Sequence, residues 1–371
     1  MKRDLPTAPV AACQASCPPA DEDLLAECPF AYTEPMPSPA ALRLEQPASS
    51  RAMQTVIHGR RVLRNILDRR DPRPMVVVGP CSIHDPVAGR DYAQRLKQLA
   101  DELADSLYLV MRVYFEKPRS CTGWKGLIND PHLDASCRIA DGMREARRFL
   151  LDVADLGLPA ATEVLDPLSP QYLGELLSWA AIGARTAESQ IHREIASALP
   201  MPIGFKNGTD GGLDAAVNAI VAASRPHSFL GLDASGQVAI VRTQGNRLGH
   251  AVLRGGGGKP NYDAASVAQA RNALQKAGLV PSIVVDCSHG NSSKDHARQK
   301  QVLQDVVTQW QAGEAAIVGV MIESFIEAGN QPLLADPAQL RYGCSITDAC
   351  VSWSDTETML REAAQALRQL R

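Results

Sequence analysis

No stretch of the chain approaches the roughly 20 uninterrupted apolar residues that a membrane-spanning helix requires, so the sequence predicts none. Nor does one sign of charge dominate. Thirty-eight Lys and Arg face 41 Asp and Glu for a net charge of −3. That argues against a general nucleic-acid or membrane-surface binder, which needs a broad basic surface. The nine cysteines lack the even count and regular spacing of a disulfide framework, and reduced thiols in a cytoplasmic protein fit better. Cys13 and Cys17, in a Pro/Ala-rich stretch, either bridge or play no part, and no part is the expectation. The first residues carry a basic tip, but the apolar region behind it is short and broken by Pro6 and Pro9, so no signal peptide is read.

What is present is a chain of 371 residues, 45% hydrophobic and 21% charged, long enough for one large α/β barrel or two ordinary domains. Residues 1–50 are rich in Pro and Ala and read as an extended arm, with Asp21 to Leu25 hinting at one helical turn. A helix follows from about Ser50 to Leu67, ended near Asp71-Pro72. From Met75 onward, short apolar runs alternate with amphipathic stretches. The runs begin at 75, 107, 159, 180, 202, 250, 282 and 316, each nearly continuous in apolar residues, as buried parallel strands are. Helical stretches between them include 91–103, 138–156, 188–199, 213–223, 264–277, 296–311 and 356–370. Eight βα units predict a (β/α)8 barrel over residues 51–371, and 227–244 reads as an added hairpin turning at Asp233 to Gly236.

The richest single stretch is Met111 to Gly126, where Arg112, Lys117, Arg119 and Lys125 gather as an apolar strand ends. Buried cations need anionic partners, and the Arg donor fork with the compact Lys charge suits phosphate. Surface ion pairing is the bland alternative for any one of them. Repetition weakens it. Barrel strands lead in turn into Cys81, Arg112 with Lys117 and Arg119, Glu163, Arg185, Lys206, Arg254, His289 and Glu323, and Asp348 sits in the final loop. In a barrel all of these reach the C-terminal mouth, where such folds build active sites. Cys81, His289, Glu323 and Asp348 make a borderline-soft donor set for Mn, Fe, Co, Zn or Cu in divalent form. His84 is a rival ligand that spacing does not exclude, and Cys287, one residue after Asp286, is expected to face the barrel wall.

The segments GPCSIHDP at 79, MRVYFEKPR at 111, GWKGLINDP at 123, IGARTAESQIHRE at 182, GFKNGTDG at 204, LRGGGGKPNY at 253, DCSHGNSSKD at 286, GVMIES at 319 and SITDAC at 345 occur in order. They resemble the type I 3-deoxy-D-arabino-heptulosonate 7-phosphate (DAHP) synthases over roughly residues 50 to 365. The resemblance implies a barrel with an N-terminal extension and an extra hairpin. It also implies condensation of phosphoenolpyruvate with erythrose 4-phosphate, the first step of the shikimate pathway, releasing phosphate. On this resemblance Arg112, Lys117, Arg185, Lys206 and Arg254 bind phosphoenolpyruvate, and Ala184 and Glu163 line its pocket. Lys117, Pro118, Arg119 and Ser120 receive erythrose 4-phosphate, Ser120 standing where the family more often has Thr. Cys81, His289, Glu323 and Asp348 hold the metal, which polarises the aldehyde oxygen so that carbon 3 of phosphoenolpyruvate attacks it. Lys117, Lys206, Glu163 and His289 are the candidate catalytic residues. Lys206 and Glu163 are the expected proton-handling pair, on the argument that burial beside other charges moves both toward neutrality.

The resemblance further implies an aromatic amino acid inhibitor held by Pro170, Gln171, Leu199, Phe229, Gly231 and Val241. Gly231 stands where phenylalanine-sensitive relatives carry Ser, as in tyrosine-sensitive ones, so tyrosine is expected. Two departures stand out: Pro200 replaces a usual Ser, and Gly255 to Gly258 contains one extra glycine, expected to loosen the loop beside Arg254. A homodimer or homotetramer is implied. The rival readings are an octulosonate 8-phosphate synthase using arabinose 5-phosphate and a catalytically dead barrel that senses amino acids for a partner.

Overall fold

The eight apolar runs become eight parallel strands because each can bury both faces, one against the barrel interior and one against the helices outside. In the computed structural model, which describes residues 33–119 and 122–370, the eight strands close into one parallel barrel in which the first strand pairs with both the second and the last. They are β1 (Met75–Gly79), β2 (Tyr108–Arg112), β3 (Ala160–Glu163), β4 (Trp179–Ile182), β5 (Ile203–Lys206), β8 (Gly249–Leu253), β9 (Ile283–Asp286) and β10 (Ile317–Glu323). The antiparallel pair β6 (Ser228–Leu232) and β7 (Val238–Arg242) forms the separate hairpin, with Phe229 opposite Val241 and Gly231 opposite Ala239.

Two hydrophobic layers follow from the period-two alternation of a strand. Val77, Val110, Ala161, Trp179, Ala181, Val252, Val284 and Met321 fill the barrel interior. Val76, Val78, Leu109, Met111, Ala160, Ala180, Ile203, Ala251, Ile283 and Val285 pack outward in the larger cluster that includes helix side chains. Trp179 fits inside because Gly204 faces it: a Cβ there would lie 2.6 Å from Trp179 Cζ2. Trp179 Nε1 donates to His250 Nε2 at 3.0 Å, so the fully buried indole has its partner.

The helices are α1 (Pro39–Glu45), α2 (Ser50–Leu67), α3 (Pro86–Glu102), α4 (Ile139–Asp155), α5 (Ser169–Leu173), α6 (Gln190–Ala198), α7 (Asp214–Ala223), α8 (Ala264–Lys276), α9 (Gln299–Gln311) and α10 (Trp353–Arg368). Helix α2 presses Val62, Leu63, Ile66 and Leu67 onto the interior layer. Side-chain caps mark many starts, as at Ser49, Asp85, Ser189, Asp263 and Ser352.

Among its described residues, the stretch expected as an arm holds the helix α1. Ser38 caps α1 and Pro39 opens it, both favourable at a helix start. Ala40 N donates to Ala234 O at 2.8 Å, which ties α1 to the hairpin turn. Residues 1–32, with Cys13, Cys17 and the turn expected at Asp21 to Leu25, lie outside the described residues. No described helix is long and apolar enough to cross a membrane.

Candidate active site at the barrel mouth

Strand parity explains which side chains meet. Arg112, Glu163, Lys206, Asp286 and Glu323 each follow, by two residues, an inward position: Val110, Ala161, Gly204, Val284 and Met321. They therefore point inward at the strand ends. All five are buried, with Arg112 and Asp286 at 0% exposure. Cys287, one residue out of phase with Asp286, packs in the outer cluster instead, as expected.

The charges are paired closely. Arg112 Nη2 lies 2.8 Å from Glu323 Oε1, and the same guanidinium donates to the carbonyls of Pro80 and Cys81. It also stacks over the Tyr114 ring at 3.4 Å. Lys117 Nζ lies 3.0 Å from Cys81 Sγ. Burial pulls against both cations, yet the anionic groups around them hold both pKa values above their usual range. Burial pushes the Glu323 carboxyl up, but His289, Arg112 and Lys117 outweigh it and hold the group at about 2. Burial, followed by the Glu323 charge, pushes the Cys81 thiol up.

Cys81, Glu323 and Asp348 bring one ligand atom each to within 4.8 Å of one another. His289 is the fourth expected ligand and stands at the edge of this set, with Nε2 3.9 Å from Glu323 Oε1. Its other ring nitrogen lies 3.0 Å from Asp286 Oδ2 and 2.7 Å from Ser288 Oγ. The donors suit a borderline divalent metal: a thiolate, two carboxylates and an imidazole whose second nitrogen is tied to a carboxylate, as metal-binding histidines usually are. The rival His84 is buried, its ring edge-on to Phe325, outside that set.

The remaining expected residues sit around this centre. Lys206 Nζ pairs with Asp286 Oδ2 at 3.1 Å. Burial lowers its pKa, but Asp286, Tyr114 and Glu163 outweigh burial, and the net shift is upward. The expectation that burial beside other charges brings Lys206 toward neutrality therefore fails, because the charge nearest it is the Asp286 carboxylate, which favours the cation. Glu163 is 8% exposed and abuts Gly183, where a Cβ would come within 2.3 Å of its Oε1. Ala184 and Arg254 are half-buried and Arg185 exposed. Arg119 is exposed, its guanidinium beside Gly123, and Ser120 lies outside the described residues. The extra-glycine loop is closely packed rather than loose at its start. Gly255 has φ 69°, and a Cβ there would meet the Gly290 carbonyl carbon at 2.6 Å.

A second cleft, of about 620 Å3, lies between α5, α6 and the hairpin. Pro170, Gln171, Leu199, Pro200, Phe229 and Gly231 line it, while Val241 pairs with Phe229 across the hairpin and is not part of that lining. Sequence reasoning missed Arg43, Arg60 and Glu175, which also line it. It also missed Asp286, Ser288 and Tyr114 at the mouth. Inward parity from Val284 is a signal that could have found Asp286.

A profile of the DAHP synthetase I family matches residues 47–361. The chain is 54% identical, over 89% of its length and 92% of the relative's, to a phospho-2-dehydro-3-deoxyheptonate aldolase described as Tyr-sensitive, from Escherichia coli strain K12. It is equally 54% identical to the Phe-sensitive aldolase of the same strain, over 90% of this chain and 95% of that one. A tyrosine-inhibited relative from Schizosaccharomyces pombe is 52% identical over 90% of this chain and 91% of its own. The solved structure of the aldolase from Francisella tularensis SCHU S4 superposes with a TM-score of 0.89 at 46% identity, covering 92% of this chain and 99% of that one.

Proposed function

The chain belongs to the DAHP synthetase I family, and from that premise we propose how its own residues carry out the family reaction. The enzyme condenses phosphoenolpyruvate with erythrose 4-phosphate and water to give DAHP and inorganic phosphate, the first step toward the aromatic amino acids. Carbon 3 of phosphoenolpyruvate bonds to the aldehyde carbon, water adds its oxygen at carbon 2, and phosphate leaves from carbon 2 by C–O cleavage.

The observation that carries the assignment is three buried cations, Arg112, Lys117 and Lys206, converging beside Cys81, Glu323 and Asp348. Two anionic substrates repel one another. Fixed cations in a buried mouth offset that repulsion and orient the reacting carbons. Arg112, Lys117, Arg185, Lys206 and Arg254 take the phosphate and carboxylate of phosphoenolpyruvate. The turn from Lys117 to Ser120 takes erythrose 4-phosphate, with Arg119 on its phosphate. Cys81, His289, Glu323 and Asp348 hold a divalent metal, which supplies Lewis-acid polarisation of an aldehyde oxygen when bound. Lys206, held cationic by Asp286, binds anion rather than moving protons. That leaves Glu163 to take the proton of the incoming water.

The cleft between α5, α6 and the hairpin binds the feedback inhibitor. Gly231 contributes no side chain to it, which leaves room for a phenol hydroxyl, so tyrosine is the effector. The relatives do not separate tyrosine from phenylalanine by identity, and the choice rests on Gly231.

The test is phosphate release from phosphoenolpyruvate by metal-loaded protein, with erythrose 4-phosphate or arabinose 5-phosphate, and with tyrosine or phenylalanine added. Release with erythrose 4-phosphate alone, lost on chelation and in Cys81→Ala, supports the assignment. Release only with arabinose 5-phosphate points to the octulosonate rival. Tyrosine binding with no release from either sugar leaves the sensing barrel.

A further inference from the structure

Asp286 belongs to none of the roles above, yet its carboxylate is the point at which two of them meet. It is fully buried at the end of β9 and points inward by strand parity. Oδ1 accepts from Ser288 N at 3.0 Å and from Ser288 Oγ at 2.6 Å. Oδ2 has no aligned hydrogen bond, but lies 3.1 Å from Lys206 Nζ and 3.0 Å from His289 Nδ1. Its backbone carbonyl accepts from Asn291 Nδ2 at 2.8 Å, and that same amide donates to Leu253 O at the end of β8. His289 is held with φ 56°, a conformation that costs free energy for a non-glycine residue and persists only where the surroundings impose it.

We propose that Asp286 is a positioning residue that orients the Lys206 ammonium and the His289 imidazole with one carboxylate, so that anion binding and metal binding depend on each other. This assignment rests on the reading of Lys206 and His289 given above. Its physical basis is shared charge. A fully buried ammonium needs a counter-charge, and Asp286 supplies it until an anionic substrate arrives. A carboxylate at Nδ1 favours a proton on that nitrogen, which leaves the Nε2 lone pair facing Glu323 and the metal donors. When substrate phosphate takes over part of the charge on Lys206, the carboxylate is freer to polarise His289, and metal is held more tightly. The same sharing runs in reverse: a His289 imidazole carrying more positive charge would compete with Lys206 for the Asp286 carboxylate, and Lys206 would then hold phosphate more strongly.

The experiment titrates Co2+ against a chromophoric chelator, with and without phosphoenolpyruvate, for the wild type, Asp286→Asn and Ser288→Ala. In the wild type, phosphoenolpyruvate tightens Co2+ binding. Asp286→Asn lowers Co2+ affinity by about 10- to 100-fold, the usual loss for a carboxylate behind a metal-binding histidine. It also abolishes the tightening by phosphoenolpyruvate. Its KM for phosphoenolpyruvate rises more than its kcat falls once metal is saturating. Ser288→Ala removes the 2.7 Å contact of its Oγ to His289 Nδ1 but leaves Oδ2 between the two groups, and keeps the coupling. Equal loss in both variants, or unchanged Co2+ affinity in Asp286→Asn, overturns the assignment. Because the titration needs no turnover, it stands even if the synthase reading fails. Should Asp286→Asn not fold, nitrogen NMR of the metal-free wild type, with the His289 signal identified by its loss in His289→Asn, reads the same point. An Nδ1–H imidazole supports the assignment and an Nε2–H imidazole overturns it.

Discussion

Glu116 carries a measurable cost of burial. It lies between Phe115 and Lys117 on the segment that leaves β2, is 6% exposed, and accepts from Ser169 Oγ at 3.0 Å. Burial, followed by the nearby Asp166 charge, pushes its carboxyl up to about 7, and the Ser169 hydrogen bond only partly opposes this. In the unfolded chain the same group titrates near 4.5. Between those values folding takes up a proton, so stability is greatest below about 4.5 and falls as pH rises to about 7. At about 1.4 kcal/mol per pH unit, the fully ionised carboxylate costs roughly 3 kcal/mol of stability. Glu116→Gln removes that charge and keeps an acceptor for Ser169. Urea denaturation of both proteins from pH 4.5 to 8.5 should show the variant gaining about 2–3 kcal/mol on the wild type at pH 8, with the gain vanishing near pH 4.5. A difference that does not change with pH, or one that grows toward acid, would refute the reasoning.

Other consequences follow from single contacts. The Arg147 side chain is fully buried and donates to Gln46 O, Tyr172 O and Glu175 Oε1. Arg147→Met strands those acceptors and should cost about 2–4 kcal/mol in urea unfolding. His250 is buried beside Trp179, and burial lowers its pKa to about 4. Stability is thus whole above about 6.5 and declines as pH falls to about 4. His250→Gln keeps an acceptor for the indole and should flatten that acid limb. A Cβ at Gly231 would meet Val241 Cγ2 at 2.7 Å, so Gly231→Ser both crowds the hairpin and fills the cleft. Tyrosine inhibition of phosphate release should weaken roughly tenfold or more while uninhibited kcat stays the same. Sedimentation of the purified chain should show the expected dimer or tetramer.

The barrel was legible because its evidence is local. A run such as MVVVG or SIVVDC, buried on both faces, reads as a parallel strand without knowledge of its neighbours, and eight in regular alternation with helices leave few other folds. The end of each run also placed Arg112, Lys206 and Glu323 at one mouth, since every parallel strand of a barrel points the same way. Short elements were not legible in this way. Helices α1 and α5 have 7 and 5 residues, too few for an apolar period to show. They form because Ser38 caps one and because Arg43, Arg60 and Arg147 grip backbone carbonyls in and beside the other.

The sequence by itself determined the fold class, the mouth as the candidate site and the residue types available there, because propensity, alternation and strand direction act along the chain. Tertiary structure alone decided which charges neutralise which. Lys206 and Asp286 are 80 positions apart in the numbering, yet their contact turns a lysine expected to move protons into a fixed cation. Likewise, one nitrogen of His289 lies against Asp286 and its second nitrogen faces Glu323. Electrostatic energy in a buried site depends on separations of a few ångströms between distant segments, and those separations exist only once the barrel has closed.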